Sequence, residues 1–195
     1  MSFKGFASSI FGSPPASALS VTQARLRMLA PRARPDIVAG IARDFDRLAQ
    51  HGGLAARLRI CHFLAQAAHE TDGFRTLEEY GGAAYFLRYE GRADLGNSQA
   101  GDGVRYHGRG IFQLTGRANY RRFGRILGID LEADPERAKE PAVSLAVAFA
   151  YWKDRELDAA ADADDVVAVT RLINGGRNGL AERTRYLARA KTIWP

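Results

Sequence analysis

The sequence predicts an all-α fold, predominantly helical, broken by one long irregular segment. Three observations lead there. From Ser20 onward, apolar residues recur mostly at three- and four-residue spacing, as amphipathic helices require. Proline and glycine punctuate those stretches at helix starts and ends. Across residues 72–112 the period is lost and glycines accumulate from Gly73 to Gly110, which favours loop over helix.

Taken in order, the elements are these. Ser20 or Thr22 caps a first helix that stops before Pro31. Pro35 opens a second, to about Gln50, with Ile37, Ile41, Phe45 and Leu48 on one face and His51-Gly52-Gly53 as its break. A third runs from about Leu54 to Thr71. The irregular segment follows, with room for a short β-hairpin around Tyr106–Leu114; long loops in compact domains are usually functional. Thr115 is placed to cap a helix closing at Gly128, Asp134-Pro135 to start a short helical turn, and Pro141 to open a long apolar helix through Leu157. The Ala/Asp-rich residues 158–165 read as a solvated turn. Two helices complete the chain, about Asp165–Ile173 and Leu180–Ile193, on either side of Asn174-Gly175-Gly176.

A chain of 195 residues suits one domain, here residues 20–195, with residues 1–19 as a flexible Ser/Pro/Gly/Ala-rich arm. Hydrophobic residues make up 46%, enough for a packed core and too many for a disordered protein. The one cysteine, Cys61, excludes an intramolecular disulfide; among Ile60, Phe63 and Leu64 it reads as a buried, inert thiol. No apolar run approaches the ~20 residues of a membrane span, so stable membrane insertion is not expected. Lys4, the apolar patch at 6–11 and Ala16-Ser17-Ala18 faintly resemble a secretory signal, but the patch is short and interrupted by Ser8 and Ser9.

The formal net charge of +6 favours a polyanionic partner. The charge is uneven. Residues 1–60 carry nine Lys+Arg against three Asp+Glu, whereas residues 61–100 carry three against six. The acidic stretch holds the candidate chemistry.

Phe63, Ala67 and Glu70 share one helix face, which sets a carboxylate in line with an apolar stripe and in the last helical turn. Burial and the helix dipole there both disfavour an ionised carboxylate, the condition a general acid needs; a solvated glutamate at a helix end fits the same residues. A second carboxylate follows in Glu78-Glu79. Glycoside hydrolysis uses one carboxylic acid on the leaving oxygen and a second carboxylate elsewhere. A gap of roughly 6.5–9.5 Å between them leaves room for water in an inverting reaction. A turn at Asp72-Gly73 would bring Glu79 within that reach of Glu70. The stretch Tyr106 to Tyr120 combines glycines that admit a ligand close to backbone with amide and hydroxyl side chains suited to sugars. Asn174 reads most simply as a helix C-cap.

Other signals point to structure. His62 and His69 lie seven apart, without zinc-site spacing or a third ligand, so no metal is expected. Arg117, Arg121, Arg122 and Arg125 make one helix flank basic, but nucleic-acid-reading motifs are absent, so no nucleic-acid partner is expected. Gly108–Gly110 lacks the Gly-Lys-Ser/Thr of a P-loop.

Three motifs occur in a fixed order: His69-Glu70-Thr71, the run Tyr106 to Tyr120, and Ile173-Asn174-Gly175-Gly176. Together they resemble glycoside hydrolase family 19, which comprises chitinases and phage endolysins. Glu90-Gly91-Arg92 with Asp94 to Asn97, then Gly101-Asp102-Gly103, is most similar to its short-loop endolysin branch. The resemblance spans about Ser20 to Lys191. It implies a lysozyme-like, two-lobed helical fold and inverting hydrolysis of β-1,4 linkages beside N-acetylglucosamine, without a cofactor. It marks Glu70 as the acid and Glu79 as the base, with Glu78 the alternative base. It implies Tyr106, Gln113, Asn119, Tyr120 and Asn174 as substrate contacts, and Arg183 and His69 as residues that orient the acid. Two departures from plant-type members stand out: Asn178 where they carry a glutamate, and Tyr80 to Ala84 in place of an Asn/Ser tract.

The expected activity is that of a peptidoglycan-degrading, muramidase-type endolysin, since a +6 protein is attracted to an acidic wall. A chitinase is the alternative. A catalytically silent wall-binding module and a basic nucleic-acid-binding protein are rivals of other classes. A monomer is expected, made in the cytoplasm and acting on the wall after release, with secretion through the N-terminal arm as a second route.

Overall fold

The structure is a computed structural model that describes residues 18–195. The expected arm falls mainly on residues 1–17 and lies outside the described residues; Leu19 packs against the main core.

The helices begin and end where local chemistry dictates. Helix α1 (Gln23–Leu29) starts as the Thr22 hydroxyl accepts the Arg25 N–H at 3.3 Å. Helix α2 (Pro35–Gly52) opens on its proline and closes on left-handed Gly53. Helix α3 (Arg57–Glu70) buries every residue from Ile60 to Ala68. It begins later than expected: the Leu54 N–H closes α2 on the Ala49 carbonyl at 2.8 Å, and the Arg57 guanidinium then ties the start of α3 to the Trp194 and Lys191 carbonyls at 2.9 and 3.0 Å.

The irregular segment contains two short helices that the lost period concealed, α4 (Ala83–Phe86) and α5 (Asp102–Arg105). The expected hairpin reduces to two isolated bridges, Glu78 with Arg109 and Arg109 with Leu114. Helix α6 (Arg117–Leu127) closes at Gly128 as expected, but Gly116 rather than Thr115 sits at its cap. The Thr115 hydroxyl instead donates to the Gln113 carbonyl at 2.9 Å.

Helix α7 (Pro141–Asp154) stops short of Leu157, and Glu156 takes a left-handed φ of 51°. What read as a solvated turn then forms helix α8 (Asp158–Asp162). Its packing explains the difference: Leu157 and Ala161 are buried, and the Trp152 indole N–H donates to Asp158 at 2.8 Å. Helix α9 (Val166–Asn174) is capped by Asp165, which accepts from the backbone of Val167 and Ala168. Helix α10 (Leu180–Ile193) packs along α3 and completes the chain.

Two cores result. The larger joins α1–α3 and α8–α10 around an aromatic centre, with Phe63 ringed by Phe45, Phe112, Phe149 and Trp152 at 4.9–5.6 Å between centroids. The smaller gathers Tyr106, Leu114, Tyr120, Phe123 and Leu131. Helix α7 serves both: Leu145, Ala148, Phe149 and Trp152 enter the larger, Val143 and Val147 the smaller. The fold is helical, as the sequence pattern predicts, and lysozyme-like, as the resemblance implies. No helix among the described residues is long and apolar enough to cross a membrane.

Candidate active site

Between the two cores runs a cleft of two compartments that share Glu70, Gln113 and Thr115. One, of about 370 Å³, is lined by His69, Asp72, Glu78, Glu79, Tyr80 and Tyr89. The other, about 280 Å³, is lined by Phe112, Asn119, Arg122, Tyr151, Arg155 and Asn174, among others.

Glu70 is the last residue of α3, so its position is inherited from a helix locked inside the larger core. The buried Arg183 of α10 bonds its carboxylate. The same guanidinium donates to the Gln66 side-chain oxygen and, through Nε, to the Asn178 carbonyl at 3.1 Å. Three acceptors on two segments, helix α3 and the loop at Asn178, therefore fix one fork, which fixes Glu70. Gln66 stands one helical turn before Glu70, a spacing that could have revealed it.

The chain reverses directly after Glu70. Thr71 donates from its hydroxyl to the Ala67 carbonyl at 2.6 Å and accepts the Phe74 N–H at 2.9 Å. Asp72 and Phe74 both hold positive φ, an unfavourable geometry for such residues that the buried Phe74 ring helps to maintain. This turn carries the chain back along the cleft to Glu79.

Glu79 is held on both oxygens. Its Oε1 accepts from the Tyr89 hydroxyl at 2.8 Å and from Arg88. Its Oε2 accepts the Gly108 N–H at 3.2 Å. Burial pushes the Tyr89 phenol up, so it remains the donor. A Cβ at residue 108 would come within 2.7 Å of Gln113 Oε1 and 3.1 Å of Glu79 Oε2. Glycine there permits the contact. Neither Arg88 nor Tyr89 was legible in the sequence, because both sit where the period fails.

Glu78, the neighbour, is engaged differently. It lies 3.1 Å from His107 Nε2, 3.6 Å from Arg109 Nε and 3.2 Å from Lys139 Nζ. Three cationic or protonatable partners hold its carboxylate.

Of the other expected contacts, Gln113, Asn119 and Asn174 line the cleft. Gln113 adopts φ 50° and donates to the Gly110 carbonyl at 3.0 Å; Asn119 donates to Thr115 and Asn174 to Asn178. Left-handed Gly175, not Asn174, caps α9. Tyr106 and Tyr120 require correction as substrate contacts: both are buried in the smaller core. Their hydroxyls donate to the Glu132 carbonyl at 3.0 Å and the His107 carbonyl at 2.8 Å, and burial pushes the Tyr120 phenol up. Aromatic residues in a glycine-rich run point into a core as readily as into a cleft. His69 lines the cleft, but its Nδ1 pairs with Glu182 at 2.7 Å rather than with Glu70. Its ring lies over Gly179, where a Cβ would stand 2.2 Å away.

A family model described as class I chitinase matches residues 35–178. The chain belongs to glycoside hydrolase family 19. A glycosyl hydrolase family 19 domain-containing protein of Haemophilus influenzae is 32% identical over 179 residues, covering 77% of this chain and 88% of that one. Endochitinase A2 of Pisum sativum is 31% identical over 126 residues, covering 60% of this chain; the chain spans 39% of its length. Chitinase C of Streptomyces griseus shares the fold, with a TM-score of 0.75 at 22% identity over 94% of this chain and 95% of that one. This family 19 chain is therefore a glycoside hydrolase, and inversion is general in the family.

Elsewhere in this family 19 hydrolase, Cys61 is buried at 3.9 Å from the Trp194 carbonyl, and burial raises its thiol pKa, as expected of an inert side chain. His62 pairs with Asp164 at 2.9 Å. The basic flank of α6 is largely neutralised: Arg117 pairs with Asp102 and Glu132, Arg121 with Glu132, and Arg122 with Asp154. Among the described residues there is no cluster of three or more His, Cys, Asp or Glu able to hold a metal ion.

Proposed function

We propose that the protein is a peptidoglycan-degrading endolysin of muramidase type, with Glu70 as general acid and Glu79 as general base. The observation carrying the assignment of roles is that both carboxylates line one compartment, each held by its own partners. Glu70 donates its proton to the glycosidic oxygen as the bond from that oxygen to the anomeric carbon breaks. Glu79 takes a proton from a water as the water oxygen bonds to the same carbon from the other face. The product anomer is inverted, and proton exchange with solvent resets both groups. Arg183 acts through Glu70, and Tyr89, Arg88 and the Gly108 N–H through Glu79.

The preference for peptidoglycan rests on charge. A protein of net charge +6 gains long-range attraction to an acidic wall that it does not gain to neutral chitin. Chitin is the second reading, favoured by similarity to plant proteins named endochitinases. Product mass spectrometry on purified peptidoglycan and on chitin oligomers separates the two. Muropeptides with a new reducing sugar are expected; cleavage of chitin alone would overturn the endolysin reading. We further propose a monomer, made in the cytoplasm and reaching the wall after release. Fractionation of cells making the protein alone tests the route, and wall hydrolysis in the periplasm of such cells would refute it.

A further inference from the structure

The cleft is electrically lopsided. Acidic Glu70, Asp72, Glu78 and Glu79 line the larger compartment, and among the described residues no arginine or lysine lines it. The smaller compartment sets two arginines, Arg122 and Arg155, against two carboxylates, Asp154 and the shared Glu70. Arg122 is already paired with Asp154. Arg155 has no hydrogen bond or ion pair from its side chain among the described residues; its guanidinium lies over the Tyr151 ring, 5.0 Å from the centroid.

That ring is a fixed platform. The Tyr151 hydroxyl donates to the Ile173 carbonyl at 2.8 Å, tying α7 to the end of α9, and the ring packs against Phe112 and Phe123. A guanidinium held near a tyrosine face by cation–π attraction leaves its N–H donors free for a bidentate acceptor. Beside it, Asn119 and Asn174 have their amide nitrogens engaged with backbone carbonyls, so they add little positive charge to the compartment. With Asp154 held by Arg122 and Glu70 by Arg183, an acidic group entering here finds one cation, Arg155, without an ion pair among the described residues.

We propose that Arg155 binds the carboxylate of an acidic amino-sugar unit, so that the compartment at Asn119, Tyr151 and Asn174 is a subsite selecting a carboxylate-bearing glycan over a neutral one. This deepens the peptidoglycan reading and rests on it. The carboxylate has two sources in such a glycan: the lactyl ether of the sugar itself, or a peptide stem attached to that ether. Both present the same planar, bidentate acceptor to a guanidinium.

Calorimetric titration of the full chain with three ligands tests this. They are N-acetylglucosaminyl-N-acetylmuramic acid with a free lactyl carboxylate, the same disaccharide carrying a tetrapeptide stem, and di-N-acetylchitobiose. At least one acidic ligand is expected to bind about tenfold more tightly than the neutral one, a difference of about 1.4 kcal/mol. Whichever shows the preference identifies the source. In Arg155→Gln the ratio is expected to fall to within about twofold, and in Arg155→Lys to lie between, since an ammonium keeps charge but not the fork. In the wild type the ratio is expected to shrink at about 1 M salt, where screening acts within roughly 3 Å. Equal affinity for acidic and neutral ligands in the wild type, or a preference that survives Arg155→Gln, overturns the proposal. If Arg155→Gln unfolds, Arg155→Lys and the salt dependence of the wild type decide the matter in its place. These affinities are read without hydrolysis. Cleavage of chitin but not of walls would therefore refute the peptidoglycan reading, while the affinity ratio still decides the role of Arg155.

Discussion

Glu79 and Gly108 bind each other twice. The Glu79 N–H donates to the Gly108 carbonyl at 2.9 Å, and the Gly108 N–H donates to Glu79 Oε2 at 3.2 Å. Backbone and side chain of the proposed base are thus anchored to the same residue. The geometry depends on the absence of a side chain at 108, where a Cβ would press on both Gln113 and Glu79. Gly108→Ala is expected to lower kcat by about 10²-fold, the loss that an ångström-scale misplacement of a catalytic group can cause. KM should move much less. Steady-state kinetics on solubilised glycan checks this, and an unchanged kcat would show that the anchor does not position the base.

The two carboxylates are separable by substitution. Glu70→Gln keeps shape and hydrogen bonding but loses the transferable proton, so hydrolysis should fall by at least ~10²-fold. Glu79→Gln should lose activity comparably while still binding substrate. Glu78→Gln should stay within a few-fold of wild type, because His107, Arg109 and Lys139 already occupy that carboxylate. Turbidity loss of isolated walls reports all three. An active Glu79→Gln beside an inactive Glu78→Gln would exchange the base assignment.

Arg183 is expected to carry stability as well as activity. Its buried guanidinium ties Gln66, Glu70 and the Asn178 carbonyl together. Arg183→Met strands those acceptors, at a cost of about 3 kcal/mol, the low end for breaking a buried pair because Glu70 keeps some solvent contact. For a chain of this size that lowers Tm by roughly 6–12 °C. Thermal unfolding by circular dichroism measures it, and a shift below about 2 °C would mean that the fork is not a structural tie.

Acid should loosen the smaller core's surface first. Arg121, then Arg117, hold the Glu132 carboxyl down to about 2, against an ordinary 4.5. A depressed carboxylate stabilises the fold fully above its unfolded pKa, and that contribution disappears as pH falls through the folded value. Asp102, lowered first by Arg117, adds in the same direction. Stability should therefore decline between about pH 4.5 and about pH 2, and Glu132→Gln should flatten the decline. Tm measured across that range tests it; an equally steep curve in the variant would count against the pairing.

Much of the helical frame was readable because its signals are local. Pro35 and Gly53 bracket α2, and Asp165 caps α9, through chemistry that acts within a few residues. Helix α8 was not readable, because its reason to form is burial of Leu157 and Ala161, which Ala/Asp composition does not advertise. The cleft shows the same division. Glu70 follows from an apolar stripe and a helix end. Arg183, more than a hundred residues away, entered only through a resemblance. Tyr89 and Arg88 had no period to mark them, and Tyr106 and Tyr120 had a suggestive setting but the wrong face.

Helix α7 lends side chains to both cores, and this bears on how the molecule comes apart. Neither core can lose its packing without freeing one side of a helix whose other side the second core still holds. The two halves are therefore expected to unfold as one cooperative unit, in a single transition whose calorimetric and van't Hoff enthalpies agree.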